Sequence, residues 1–125
     1  MSTLAVDNIT PSAGGTAYIL SEGVAKARWS YSQSTNTDQE SDNIASFLDE
    51  ATGQYSANYT NNMSTTFYTV NGTGEDSTGN ERVFNILSNG NADGRTTTFA
   101  EVGVTNGGNV SVDAITYATV FGDLA

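Results

Sequence analysis

From residue 24 the chain alternates. In VAKARWSYS, Ala25, Ala27, Trp29 and Tyr31 share one parity, and Val24, Lys26, Arg28, Ser30 and Ser32 share the other. This is the period-two pattern of a strand with one buried face. The pattern returns in NIASFLD and in QYSANYT, where Tyr55, Ala57 and Tyr59 alternate with polar residues. EATG lies between them and closes on Gly53, so the pair predicts a hairpin. NIASFLDEA also has apolar spacing compatible with one helical turn, but its β-rich surroundings favour a strand. Further strands are expected at TTFYTVN, at RTTTFAEVGV and along VSVDAITYATVF. RVFNILS is apolar on both parities, which suits a central strand. TNTDQES and GTGEDSTGNE carry no apolar anchors and read as loops, NGNADG as a turn. Asn106 and Gly107 are a strong hairpin signal, because both tolerate positive φ.

The beginning of the chain differs. STLAVDNIT places Leu4 and Val6 on one parity, Pro11 ends the run, and SAGGTAY follows as a flexible link. Residues 1–20 therefore read as an extended arm with a Gly-rich link, and 21–125 as one domain. The expected fold is all-β, an antiparallel β-sandwich of about seven strands at the usual strand spacing.

Composition sharpens this. Ser, Thr, Asn and Gly make up nearly half of the chain, which disfavours helix interiors. Aromatic residues reach 10%, more than a disordered tail carries. The net charge is −10, with Lys26, Arg28, Arg82 and Arg95 the only cations. Such a surface repels nucleic acid and anionic lipid. Without Cys or His, disulfides, thiolate sites and the commonest metal ligand and general base are excluded. No apolar run approaches the roughly 20 residues of a membrane helix. Residues 1–20 lack a basic start and an unbroken apolar stretch, so no signal peptide is expected.

Several segments, in order, resemble phage tail-fibre and spike proteins. STLAVDNI is similar to an N-terminal segment that precedes a Gly-rich link in such proteins. GVAKARWSYS resembles the opening of a small β-domain at the end of such fibres. The spacing Asn43, Ile44, Ser46, Phe47, Asp49, Gly53, Tyr55, Ala57, Tyr59, Met63 continues the likeness, and ATVFGD closes it. The extra Arg28 before Trp29 raises a one-residue slip, which would exchange the faces of that strand. The resemblance implies a homotrimeric β-module displayed on the virion surface, as a short tail fibre, head fibre, spike or decoration subunit contributing to host attachment. The arm, through Leu4, Val6 and Ile9, would anchor it to other virion proteins. Lys26 and Arg28 would face a trimer mate or an acidic neighbour, where cations reduce repulsion between acidic chains. The blander account is that both cover a sheet edge against aggregation.

Candidate chemistry is sparse. Asn89–Gly94 follows the opening of a calcium loop, but residue 100, where the bidentate Glu should stand, is alanine. Glu75, Asp76 and Glu81 form an acidic stretch of the kind that is usually solvated. Asp49 and Glu50 are adjacent, so as strand neighbours they point apart and make no glycosidase pair. A serine nucleophile would lack a histidine base. No enzyme, cofactor or metal is expected. The alternative reading is a lectin-like carbohydrate-binding module, with Trp29, Tyr31 and Tyr68 as glycan contacts on a host surface. It competes with plain core packing of the same rings.

Overall fold

The computed structural model describes residues 8–9, 18–19, 24–76, 80–89 and 92–125. In chain order the strands are β1 (Asn8–Ile9), β2 (Tyr18–Ile19), β3 (Ala27–Ser32), β4 (Thr37–Asp42), β5 (Ile44–Ala51), β6 (Gln54–Tyr59), β7 (Thr69–Glu75), β8 (Glu81–Ile86), β9 (Ser88–Asn89), β10 (Ala92–Asp93), β11 (Phe99–Asn106) and β12 (Ile115–Phe121). No helix occurs among the described residues. β1 pairs with β2, and β9 with β10, as two-residue ribbons. The other eight strands form one antiparallel sheet in the order β4-β3-β12-β7-β8-β11-β6-β5, nearly closed into a barrel.

The all-β class is as expected. About seven strands divided between two sheets is not confirmed, because eight strands hydrogen-bond in a single sheet. The added strand is β4, where the sequence pattern predicts a loop. Its six residues are almost wholly exposed, so it has no apolar parity to reveal it. It is a strand because β3 offers it a ladder, and it is a sheet edge, where polar and charged residues deter further pairing. β7 likewise runs through Gly72 and Gly74 to Glu75, into the stretch where the sequence pattern predicts a loop. A Cβ on Gly72 would stand 2.7 Å from the Phe84 ring, so the missing side chain makes room for that ring. The segment read as one long last strand is divided. Val110 closes a turn with Asn106, Val112 bonds back to Val104, and only Ile115–Phe121 crosses over between β3 and β7.

The interior follows parity. Ala27, Trp29 and Tyr31 of β3 face Tyr55, Ala57 and Tyr59 of β6. Ala100, Val102 and Val104 of β11, with Thr116, Ala118 and Val120 of β12, fill the remainder. Arg28 therefore causes no slip: Trp29 is inside and Arg28 outside, as alternation requires. Tyr31 stacks on Phe47 of β5, with centroids 4.2 Å apart and planes 10° apart, and lies 4.8 Å from Tyr55. β5 and β6 form the expected hairpin around Gly53, whose φ of 69° suits glycine. A Cβ there would also press on the Val104 carbonyl and the Val112 amide.

The edges β4 and β5 are consecutive in sequence, separated only by Asn43. Asn43 adopts φ 57°, and its side chain is fully engaged. Nδ2 donates to the carbonyls of Lys26 (2.9 Å) and Asn61 (3.1 Å), while Oδ1 accepts from the Asn61 amide at 2.7 Å. Asparagine suits this corner because it tolerates the left-handed region and offers both donors and acceptors.

Candidate functional site

The aromatic residues that suggested a glycan face are core pillars. Trp29, Tyr31 and Tyr68 are all buried. Trp29 Nε1 donates to the Tyr55 hydroxyl at 2.9 Å, and that hydroxyl meets Thr116 Oγ1 at 2.6 Å. Tyr31 donates to Asn36 Oδ1 (2.7 Å), and Tyr68 to the Phe99 carbonyl (2.9 Å). Burial raises the Tyr55 hydroxyl far above its ordinary range, with opposing contributions from its bonds to Thr116 and Trp29. Burial also raises Tyr31, reinforced by Asp49 and Asp113. These hydroxyls stay protonated and act as structural bonds. None of the three rings presents a face to a ligand, which corrects their assignment as glycan contacts.

Arg28 projects outward and pairs with Glu40 of β4 at 2.9 Å, both side chains more than half exposed. Lys26 immediately precedes β3 and is half-buried, its amide bonded to the Val120 carbonyl. The two cations share a parity, but the pairing of Arg28 is local. Ile9 lies in β1, opposite Tyr18; Leu4 and Val6 lie outside the described residues. So do Gly90 and Asn91 of the calcium-like stretch, whose flanking residues are the paired β9 and β10. In the acidic stretch, Asp76 is engaged by Arg82 and by the Asn80 amide, and Glu75 accepts the Tyr117 hydroxyl at 2.7 Å. No group of three or more potential metal ligands occurs among the described residues.

A different surface is built for contact. Across β4, β3, β12 and β7 the outward residues form two parallel rows. Glu40, Ser30, Tyr117 and Thr73 are register partners in one row. Asp42, Arg28, Thr119 and Asn71 make the other. Between the rows runs the backbone of Trp29, Ala118 and Gly72, whose side-chain positions face inward. The result is a groove of about 450 Å³ with Tyr117 on its wall. Tyr117 is 41% exposed, the most open aromatic ring on any strand of the sheet. Its bond to Glu75 secures the ring and raises the phenol above its usual range. Ser30 is held in turn by Gln39 Oε1 at 2.8 Å.

The groove was not legible in the sequence. AITYATVF is apolar or small on both parities, so Tyr117 could not be assigned outward without the register. The one usable signal was the small Ala118 between Tyr117 and Thr119, which marks the inward parity of a crowded core. Comparison with known proteins finds no matching family model, no similar curated protein and no similar solved structure.

Proposed function

We propose that this chain is a phage virion structural protein: a short homotrimeric fibre, spike or capsid-decoration subunit whose β-domain is displayed on the particle and contributes to host adsorption. The observation that carries the reading is the ordered recurrence of fibre-like segments, from STLAVDNI through GVAKARWSYS to ATVFGD. On the same reading, the nearly closed sheet would work as a flattened, sandwich-like display domain. Its work is adhesion or stabilisation through geometry, without a chemical step. Three displayed copies would convert weak contacts into avidity.

Exposed apolar residues at one end of the barrel support assembly. Val24, Phe67 and Leu124 all lie open to solvent there, Phe67 at 92%. The end is defined by three links: Lys26 to Val120, Thr69 opposite Phe121, and Met63 bridged to Leu124. It is also where residue 24 enters the domain. Three apolar side chains at the mouth of an acidic module suit a contact between copies or with a shaft.

Three experiments test the reading. Antibody against residues 24–125 should label purified particles of the encoding virus; unlabelled particles would overturn virion localisation. Light scattering should give three copies per assembly, and a monomer at micromolar concentration would overturn the homotrimer. Removing residues 2–12 should leave a cooperatively melting β-domain that no longer co-sediments with particles.

A further inference from the structure

We infer that the groove between the two outward rows is a binding site for a neutral pyranose, with Tyr117 as its stacking platform. This deepens the adsorption role proposed above.

The argument begins with what the groove offers. A pyranose presents a patch of C–H bonds on one face and hydroxyls around its rim, so it needs an aromatic surface beside clustered donors and acceptors. Tyr117 lines the groove and is held by its bond to Glu75. An aromatic ring so held supplies contact area at low entropic cost. Around it stand Ser30 and Thr73 in its own row, and Asn71 and Arg28 in the next. Hydroxyl and amide groups can each both donate and accept, which matches a hydroxyl-rich ligand better than a carboxylate or phosphate. A volume of about 450 Å³ is within the range of small-molecule sites.

Charge selects within the class of sugars. Arg28 is the one cation lining the groove, and it is committed to Glu40. Asp42 and Glu75 stand close by in the register. An anionic sugar would have to compete with these carboxylates for Arg28, on a chain whose net charge is −10. A neutral sugar can use Arg28 as donor and Glu40 as acceptor without breaking their pair. The floor is backbone: the side-chain positions of Trp29, Ala118 and Gly72 all face inward, so a ring can lie between the rows.

The test is an amide chemical-shift titration of the full chain. The probes are methyl α-glucoside, methyl β-galactoside and N-acetylglucosamine, with N-acetylneuraminic acid as the anionic counterpart. With at least one neutral probe, saturable shifts are expected at Arg28, Asn71, Thr73 and Tyr117, with millimolar affinity. Tyr117→Ala should weaken that binding about tenfold, as loss of one aromatic platform does. Tyr117→Phe should retain most of it, because the ring remains. Should Tyr117→Ala fail to fold, Asn71→Ala at the exposed rim serves instead, with a several-fold loss expected. Three results would each overturn the inference. One is no saturable shift at these amides up to ~100 mM of any neutral probe. Another is binding unchanged in the folded variants. The third is tighter binding of N-acetylneuraminic acid than of every neutral probe. The titration needs no particle, so its failure would leave virion localisation intact, and unlabelled particles would leave the sugar site intact.

Discussion

Around the nearly closed sheet, neighbouring strands are joined in two different ways. From β4 through β3, β12, β7, β8, β11 and β6 to β5, every junction is a backbone ladder. Between β4 and β5, the two edges, there is no ladder. Here the sheet is drawn together by side chains: Tyr31 stacked on Phe47, Trp29 bonded to Tyr55, and Asn43 tying the corner to Lys26 and Asn61. The bulky residues gather on this seam, while the opposite flank uses Gly72 and Gly74. A ladder tolerates most outward side chains, because its bonds are made by the backbone. A seam made by side chains has no such reserve, so single substitutions there should be felt more strongly.

The sharpest break in that comparison is Phe47→Ala. Phe47 is the one ring that β5 contributes to the seam, packing on Tyr31 and edge-on to Trp29 and Tyr55. Its removal should cost about 3 kcal/mol, the lower end for aromatic truncation because the ring is only partly buried. Urea unfolding measures this. The control is Val83→Thr on β8, outward and exposed, which should stay within about 0.5 kcal/mol of the parent. Similar losses in the two variants would remove the distinction between seam and ladder.

Gly72→Val tests the flank from inside. Its added carbons would overlap the Phe84 ring, and overpacking of this kind costs about 2 kcal/mol. Pairing it with Phe84→Leu should recover part of the loss, since the clash lies between those two positions. Without recovery, Gly72 would be needed for backbone reasons instead.

Asn43→Ala and Asn43→Gly separate two contributions at the corner. Alanine loses both the side-chain bonds and comfort at positive φ, and should cost about 2 kcal/mol. Glycine restores the backbone and loses only the bonds, so it should cost about 1 kcal/mol. Equal costs would mean that the left-handed conformation carries no strain. Tyr55→Phe should fall in the same range, about 1–2 kcal/mol, because it leaves the buried Trp29 N–H without its acceptor.

The same contrast explains what the sequence could and could not show. β3, β6 and β11 were legible because each has a buried parity: Trp29 with Tyr31, Tyr55 with Tyr59, Val102 with Val104. β4 was not, because an edge strand in contact with water needs no apolar residue. The far half of β7 was not, because Gly72 and Gly74 read locally as a loop, and only the Phe84 ring across the sheet explains them. Asn43 was visible as a poor helix residue but not as a corner. Its partners are Lys26 and Asn61, each more than fifteen residues away. The groove was hidden for a related reason. Its rows are assembled across four strands, and parity on one strand does not reveal which strands will be neighbours.

The smallest effect concerns the covered outer side of β11. Glu101 points away from the core yet is buried, opposite Ser56 of β6. The Ser56 hydroxyl donates to Glu50 Oε1 at 2.5 Å, which brings a second carboxylate to the same patch. Leu87 covers the adjoining Gly103, and its amide donates to the Glu101 carbonyl at 2.9 Å. Burial, and then the charge of Glu50, raise the Glu101 carboxyl above its ordinary range. A carboxyl raised in the folded state binds its proton more tightly there than in the unfolded chain. Its contribution to stability is therefore complete at low pH and is lost as pH rises between the ordinary and the raised value. Unfolding midpoints measured from about pH 4 to about pH 7 should fall for the parent protein, and fall less for Glu101→Gln, which cannot ionise. Glu50→Gln should flatten the profile by a smaller amount, since its charge is the lesser of the two causes. Neither substitution touches a seam contact, so both variants should retain the parent's cooperativity. If Glu101→Gln has the parent's full pH slope, the decline belongs to the net charge of −10 rather than to this patch.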